Sequence, residues 1–255
     1  MTDPILYDRR RDAAWLTLNQ PERRNALSEE LVVALLGNLR TAIDDAGVRS
    51  IVITGAGTAF CAGADLKGGG VRAADEENPF VTIMKTIWES PKPVIACVNG
   101  PAFGGGVGLV AACDLAIASD AAKFSFSEVR VGVIPAMISV VVLPKLGIQN
   151  TMWLFLTGER FDAKRAAELG LIHRAVAAAE LEAAVDQVNE MIRLGGPNAI
   201  REAKQLIRRV PGMSMDDAFV YTQQIIGRLF SSPEAAEGMM AFVQKRKPSW
   251  AEPTS

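Results

Sequence analysis

Apolar and polar positions alternate in two short runs at the start of the chain, residues 4–8 and 13–18, on either side of the polar segment Arg9-Arg10-Arg11-Asp12. Period-two alternation across a polar break predicts a β-hairpin. The period then lengthens. Leu31, Val32, Leu35, Leu36, Leu39 and Ile43 recur at helical spacing. Ser28 precedes them as an N-cap, and Glu29 and Glu30 follow it at the positive end of the helix dipole. "SIVITG" at 50–55 and "VIACV" at 94–98 are continuous apolar runs of strand length. Between them residues 80–89 read as a helix that Pro91 and Pro93 end. After the second run come a glycine-rich turn, a short helix to Ala112 and another strand, "LAIA" at 115–118. Strands alternating with helices predict a mainly parallel sheet. From about residue 136 helical patterns dominate, with breaks near Gly158, Gly170, Gly195-Gly196-Pro197 and Pro211-Gly212. The expectation is an α/β core over 1–195 and a helical C-terminal region over 196–255, with no internal repeat visible in the sequence.

Composition narrows this picture. The chain has 255 residues, 49% of them apolar and 22% charged, with a formal net charge of −2. That is enough apolar material for a sizeable core, and the interspersed charge gives no footprint for nucleic acid. Three cysteines, Cys61, Cys97 and Cys113, form no CxxC pair, so neither a disulfide framework nor a metal site is expected, and a reducing, cytoplasmic setting fits. The first residues lack a signal-peptide layout. The most apolar stretch, 94–119, is interrupted by Asn99 and Asp114 and reads as buried core, not as a membrane span.

The candidate chemistry is narrow. The single histidine, His173, lies among aliphatics in "LGLIHRAV" and reads as structural. No GxSxG elbow is present, no glycine is followed by lysine, and "GAGTAF" at 55–60 fails the dinucleotide fingerprint. What remains is glycine. "GAGTAFCAGADL" at 55–66 and "NGPAFGGGVGL" at 99–109 each follow a strand, and each can open a helix whose first N–H groups are free. Two such N–H groups aimed at one spot would hold a carbonyl oxygen as it becomes an enolate. Tight strand-to-helix joints with no ligand would need the same glycines, and spacing alone does not separate these readings.

Five segments together carry a resemblance. "NQPERRNALS" at 19–28, "FCAGADLK" at 60–67, "NGPAFGGGVGLVAACDLAIAS" at 99–119, "FSEVRVGVIP" at 126–135 and "EGMMAFVQKRKP" at 237–248 resemble, in order, the enoyl-CoA hydratase/isomerase (crotonase) superfamily. The resemblance implies an α/β spiral of ββα units with a helical C-terminal trimerisation region, assembled as a homotrimer or a dimer of trimers. It implies an acyl-CoA thioester as substrate, with no cofactor or metal beyond the CoA that the substrate carries. By motif position the oxyanion hole is the N–H of Ala64 and the N–H of Gly105. Glu128 is the proton-transfer residue, and Asp65 is expected to cap a helix. CoA contacts are expected from Arg23, Arg24, Ala26, Leu27, Ala62 and Lys67, joined by Phe242 and Lys245 from a neighbouring subunit.

One departure matters. Where hydratases of this family carry a first glutamate, the chain has Gly108, and the glycine-rich loop after "IP" is replaced by "AMISV" at 136–140. In the bacterial branch resembling 3-methylglutaconyl-CoA hydratases, associated with leucine degradation, that glutamate is also missing. Gly108 is therefore expected to leave room for a water or a substrate branch, and Arg130, two residues past Glu128, is a candidate partner for a distal carboxylate. Three functions fit: a single-glutamate enoyl-CoA hydratase, a Δ3-Δ2-enoyl-CoA isomerase, and a non-catalytic acyl-CoA-binding oligomer.

Overall fold

The computed structural model describes residues 3–65 and 78–251. The predicted hairpin is present as β1 (Ile5–Arg10) and β2 (Ala13–Leu18), antiparallel with Ile5 opposite Leu18. Helix α1 (Glu29–Asp44) follows, and the Ser28 hydroxyl accepts the Leu31 N–H at 3.3 Å as its cap. Next come β3 (Ser50–Gly55), α2 (Pro79–Glu89), β4 (Val94–Val98), the two-residue β5 (Ala102–Phe103), α3 (Gly105–Ala112), β6 (Leu115–Ser119) and β7 (Lys123–Ser125). Helix α4 (Ala136–Thr157) contains Pro144 and turns at Gly147, whose φ is +69°. The remaining elements are β8 (Arg160–Asp162), α5 (Ala163–Glu168), β9 (Arg174–Val176), α6 (Leu181–Leu194), α7 (Pro197–Arg209), α8 (Met215–Phe230) and α9 (Pro233–Val243).

The main sheet runs β1-β2-β3-β4-β6-β9, parallel from β2 onward, and a second sheet runs β5-β7-β8. Central parallel strands are buried on both faces, which is why they read as unbroken apolar runs. Ile51 and Ile53 face α1 to α4, while Val52, Ile95 and Ile117 face α6 through Leu181 and Val185. Successive units β3–strap–α2, β4–β5–α3 and β6–β7–α4 repeat one topology: a strand in the main sheet, a short extended piece in the second layer, then a helix. The strap, residues 60–65, joins that layer through bridges pairing Leu27 with Ala64 and Cys61 with Ala102. This is the spiral of ββα units. The repeat lies in the backbone path and leaves no repeated residues in the sequence.

Helix α7 is clasped to the core by buried charge. The Asp114 carboxylate takes Lys204 at 2.8 Å and Arg208 at 2.5 Å, and Arg208 also lies 4.2 Å over the Trp88 ring. Lys204 donates further to the Ile87 and Lys92 carbonyls, so the buried ammonium is fully engaged. Removing one partner of such a cluster strands the others, a loss of about 3–5 kcal/mol. Beyond the clasp, large apolar side chains stay exposed on α8 and α9, among them Phe219, Phe230 and Phe242. One described helix, α4, has the length and apolar character of a membrane span. Its buried side, Ile138, Val141, Val142, Leu146 and Leu154, packs on the core.

Candidate active site

The strap at 60–65 is held from both sides. The Pro101 carbonyl accepts the N–H groups of Phe60 and Cys61 at 3.1 and 3.2 Å, and the Phe103 N–H returns to the Cys61 carbonyl at 3.0 Å. On the other edge the Ala62 N–H donates to the Arg24 carbonyl at 2.9 Å, and the Leu27 N–H to the Gly63 carbonyl at 2.8 Å. Asn25 knots the layers together. It is fully buried at φ +55°, a left-handed conformation that Asn tolerates better than most residues. Its Nδ2 donates to the carbonyls of Ala56 and Ala59, and its Oδ1 accepts the Gln20 N–H at 2.9 Å.

The bridge between Leu27 and Ala64 runs through the Gly63 carbonyl, so the N–H of Ala64 itself points away from Leu27. Across from it lies the glycine turn. Gly104 has φ +50° and ψ −119°, a mirrored extended conformation closed to side-chain-bearing residues. It ends β5 and aims the chain into α3, so Gly105 is the first helical residue and its N–H is free of the helix ladder. Gly106 is required for close approach: a Cβ there would lie 2.3 Å from the Cys61 carbonyl oxygen. A Cβ on Gly105 would sit 3.8 Å from the Ala64 nitrogen, and one on Gly63 would sit 3.3 Å from the Gly105 nitrogen. The two nitrogens therefore lie close together, and among the described residues neither N–H has an acceptor. The first turn of α3 adds positive potential there.

Glu128 enters from the other side. It opens a 3-10 turn, Glu128–Val131, directly after β7, and its Oε1 lies 3.0 Å from the place a Cβ on Gly104 would take. Its Oε2 is buried with no hydrogen-bond partner among the described residues. Burial pushes the carboxyl above the usual glutamate range, and its own backbone N–H offsets part of that rise. A desolvated carboxylate beside two free N–H groups is a base poised to move protons next to a bound oxyanion.

The structure corrects the expectation for Gly108. The position is not open: a Cβ there would lie 2.1 Å from Cγ2 of Ile138, whose side chain fills the volume and is 4% exposed. Neither a water nor a branch has room at that point. Arg130 lies in the 3-10 turn that Glu128 opens. Its guanidinium donates to the Thr157 carbonyl at 3.2 Å and lies against Gly158, where it serves the negative end of α4. That contact engages one guanidinium nitrogen of a side chain that is otherwise exposed.

Among the CoA positions, Arg23, Arg24, Ala26, Leu27 and Ala62 do gather along the strap. Arg23 forms an ion pair with Asp65, which ties that exposed turn to the residue after Ala64. The helix that Asp65 was expected to cap would begin at residue 66, which lies outside the described residues. Lys67 lies outside the described residues. Phe242 is 85% exposed at the end of α9, and Lys245 follows that helix at φ +53°, with no ion pair to its ammonium among the described residues. His173 is structural, its Nδ1 accepting the Ala116 N–H at 3.2 Å, and burial lowers its pKa. The three cysteines are buried free thiols, each pushed up to about 12 by burial. Sequence reasoning missed Asn25 and Ile138. An asparagine beside a turn was the one available sign for the first, and the second had none.

The Enoyl-CoA hydratase/isomerase family model matches residues 9–253. A putative enoyl-CoA hydratase of Thermus thermophilus is 35% identical over 238 residues, covering 91% of this chain and 94% of that one. A carnitinyl-CoA dehydratase of Proteus mirabilis is 35% identical over 222 residues, covering 81% and 83%. The crystal structure of a putative enoyl-CoA hydratase/isomerase (crotonase) from Legionella pneumophila superposes with a TM-score of 0.90 at 38% identity, covering 98% of this chain and all of that one.

Proposed function

The chain belongs to the enoyl-CoA hydratase/isomerase family and has its crotonase fold, and from that premise we propose that it adds water to, or removes it from, a 2-enoyl-CoA thioester with Glu128 as the proton-transfer group. The observation that supports this most is that the Ala64 and Gly105 nitrogens and the half-buried Glu128 carboxyl all lie close to one glycine turn. The thioester oxygen sits between the two N–H groups, which draw electron density from C3. Glu128 as carboxylate takes a proton from water, and the water oxygen bonds to C3. The resulting enolate is held by the same N–H groups until Glu128 returns the proton to C2. The hydroxyl at C3 and hydrogen at C2 account for one water, and the carboxylate is regenerated. Protein, thioester and one water suffice for these steps. The dehydratase among the relatives supports water chemistry at such a site.

Isomerisation has one observation in its favour. Ile138 fills the place of a side chain at Gly108, so Glu128 is the one carboxylate at this turn among the described residues, and moving a double bond from Δ3 to Δ2 needs only one. Incubating the purified protein separately with 2-enoyl-CoA and 3-enoyl-CoA distinguishes the two. Hydration of the 2-enoyl thioester faster than transfer of the 3-enoyl double bond is the expected outcome, and the reverse order would make the protein an isomerase.

The segment from residue 196 onward is, in this reading, an oligomerisation region. Met215, Phe219 and Phe230 on α8 and Phe242 and Val243 on α9 are more than half exposed, an extent of apolar surface that monomers seldom leave bare. Ile148, Trp153 and Leu156 on α4 are exposed likewise. A homotrimer or dimer of trimers, with Phe242 and Lys245 reaching a neighbour's CoA, covers these faces. Sedimentation should give three or six copies, and a monomer would remove this reading. The buried free thiols fit a reducing, cytoplasmic setting.

A further inference from the structure

Gly104 is the N-cap of α3, and the Gly108 N–H donates to its carbonyl at 3.1 Å, so the two positions are neighbours at the start of the helix. Over the first stands the Glu128 carboxyl, with Oε1 3.0 Å from the Cβ place of Gly104. Over the second stands Ile138, with Cγ2 2.1 Å and Cβ 2.8 Å from the Cβ place of Gly108. The two side chains come from different elements, the 3-10 turn after β7 and the first turn of α4, and stand over neighbouring positions at the start of α3. Ile138 is buried and β-branched, so its rotamer is stiff and its surface is fixed.

We infer that Ile138 sets the acyl specificity of the site: by occupying the volume at Gly108 it makes the wall beside Glu128 an alkyl surface that receives an apolar substituent on the acyl carbon two bonds from the thioester carbonyl. This deepens the acyl-CoA reading above and rests on it. A thioester whose oxygen lies at the Gly105 N–H, with C2 facing Glu128, runs past the start of α3 with its C3 substituent directed from position 104 toward position 108. There it meets hydrocarbon. A methyl group removed from water against such a wall contributes about a fourfold gain in affinity. A polar substituent would lose its water and find no partner. The contact also explains why a side chain at 108 is excluded: any residue with a Cβ must displace Ile138 first.

The test is binding of two saturated thioesters, butyryl-CoA and 3-methylbutyryl-CoA, to the wild type, Ile138→Val and Ile138→Thr, each checked for an unchanged oligomer and a cooperative melt. Neither thioester has a double bond to hydrate or shift, so the ratio reads the pocket whatever reaction the enzyme performs. Wild type should prefer the branched thioester about fourfold, Ile138→Val should keep most of that preference, and Ile138→Thr should bring it close to one. A branched-to-straight ratio that is the same in all three proteins, or that rises in Ile138→Thr, would overturn the assignment. Absence of binding by both thioesters would overturn it together with the acyl-CoA reading. An altered ratio in a protein that fails to hydrate would leave the assignment standing and remove only the hydratase reaction.

Discussion

Glu128→Gln is expected to lower turnover of a 2-enoyl-CoA by a hundredfold or more, the span of about 10²–10⁴ that one acid–base group supplies. The amide keeps the shape of the side chain and cannot take a proton from water. The same change should leave the melting temperature near pH 7 unaltered or raise it. Burial holds the carboxyl of Glu128 above its ordinary value, so its ionised form is disfavoured in the folded chain. With a raised folded pKa, its contribution to stability is present in full below the ordinary glutamate value and is lost as pH rises through the folded one. At neutral pH the ionised group therefore costs stability that the amide does not. The acid limb of kcat/KM should correspondingly lie above the usual glutamate range, because protonated Glu128 cannot act as the base. A folded Gln variant that retains activity would remove Glu128 from the mechanism.

Gly105→Pro should cost about 10²–10³ in kcat, the effect of deleting one oxyanion donor. The fold tolerates the change better than most glycine-to-proline substitutions. Residue 105 is the first of α3, where proline's missing N–H breaks no helix bond. Gly104 before it is already in a mirrored extended conformation, outside the α region that proline forbids its predecessor. The nearest obstacle is Leu27 Cδ1, 2.7 Å from the added carbon and at the free end of a flexible side chain. Gly105→Ala is the control: it meets the same leucine and keeps the N–H. Pro should fall far below Ala in kcat, and equal losses in the two would show that the effect is crowding and not the hydrogen bond.

The strands that carry the site were legible because they are continuous apolar runs, and α1 because its cap and first-turn acids are local in sequence. The small sheet was not legible. Strand β5 is two residues long and β7 and β8 are three each, too short for any period, and their pairing is set by the packing of the spiral. The strap that presents Ala64 is held by backbone bonds and by Asn25, none of which imposes an apolar pattern. At the active site, glycine content announced that backbone approaches something, while Glu128 could be picked out only by its place in a familiar motif. Its burial is a product of the fold. The expectation at Gly108 failed for a similar reason. A glycine in sequence reads as empty space, and its neighbour Ile138 lies thirty residues on, brought there by the way α4 returns across α3.

The most direct test of the central claim is isotopic. The purified enzyme is incubated with a 2-enoyl-CoA in water carrying both deuterium and oxygen-18, and the product is read by mass spectrometry, beside Glu128→Gln. A 3-hydroxyacyl-CoA with oxygen-18 on C3 and one deuterium on C2, formed by the wild type and not by the variant, is the predicted result. Deuterium in the acyl chain without oxygen-18 would contradict it, since protons would then move at this site with no addition of water.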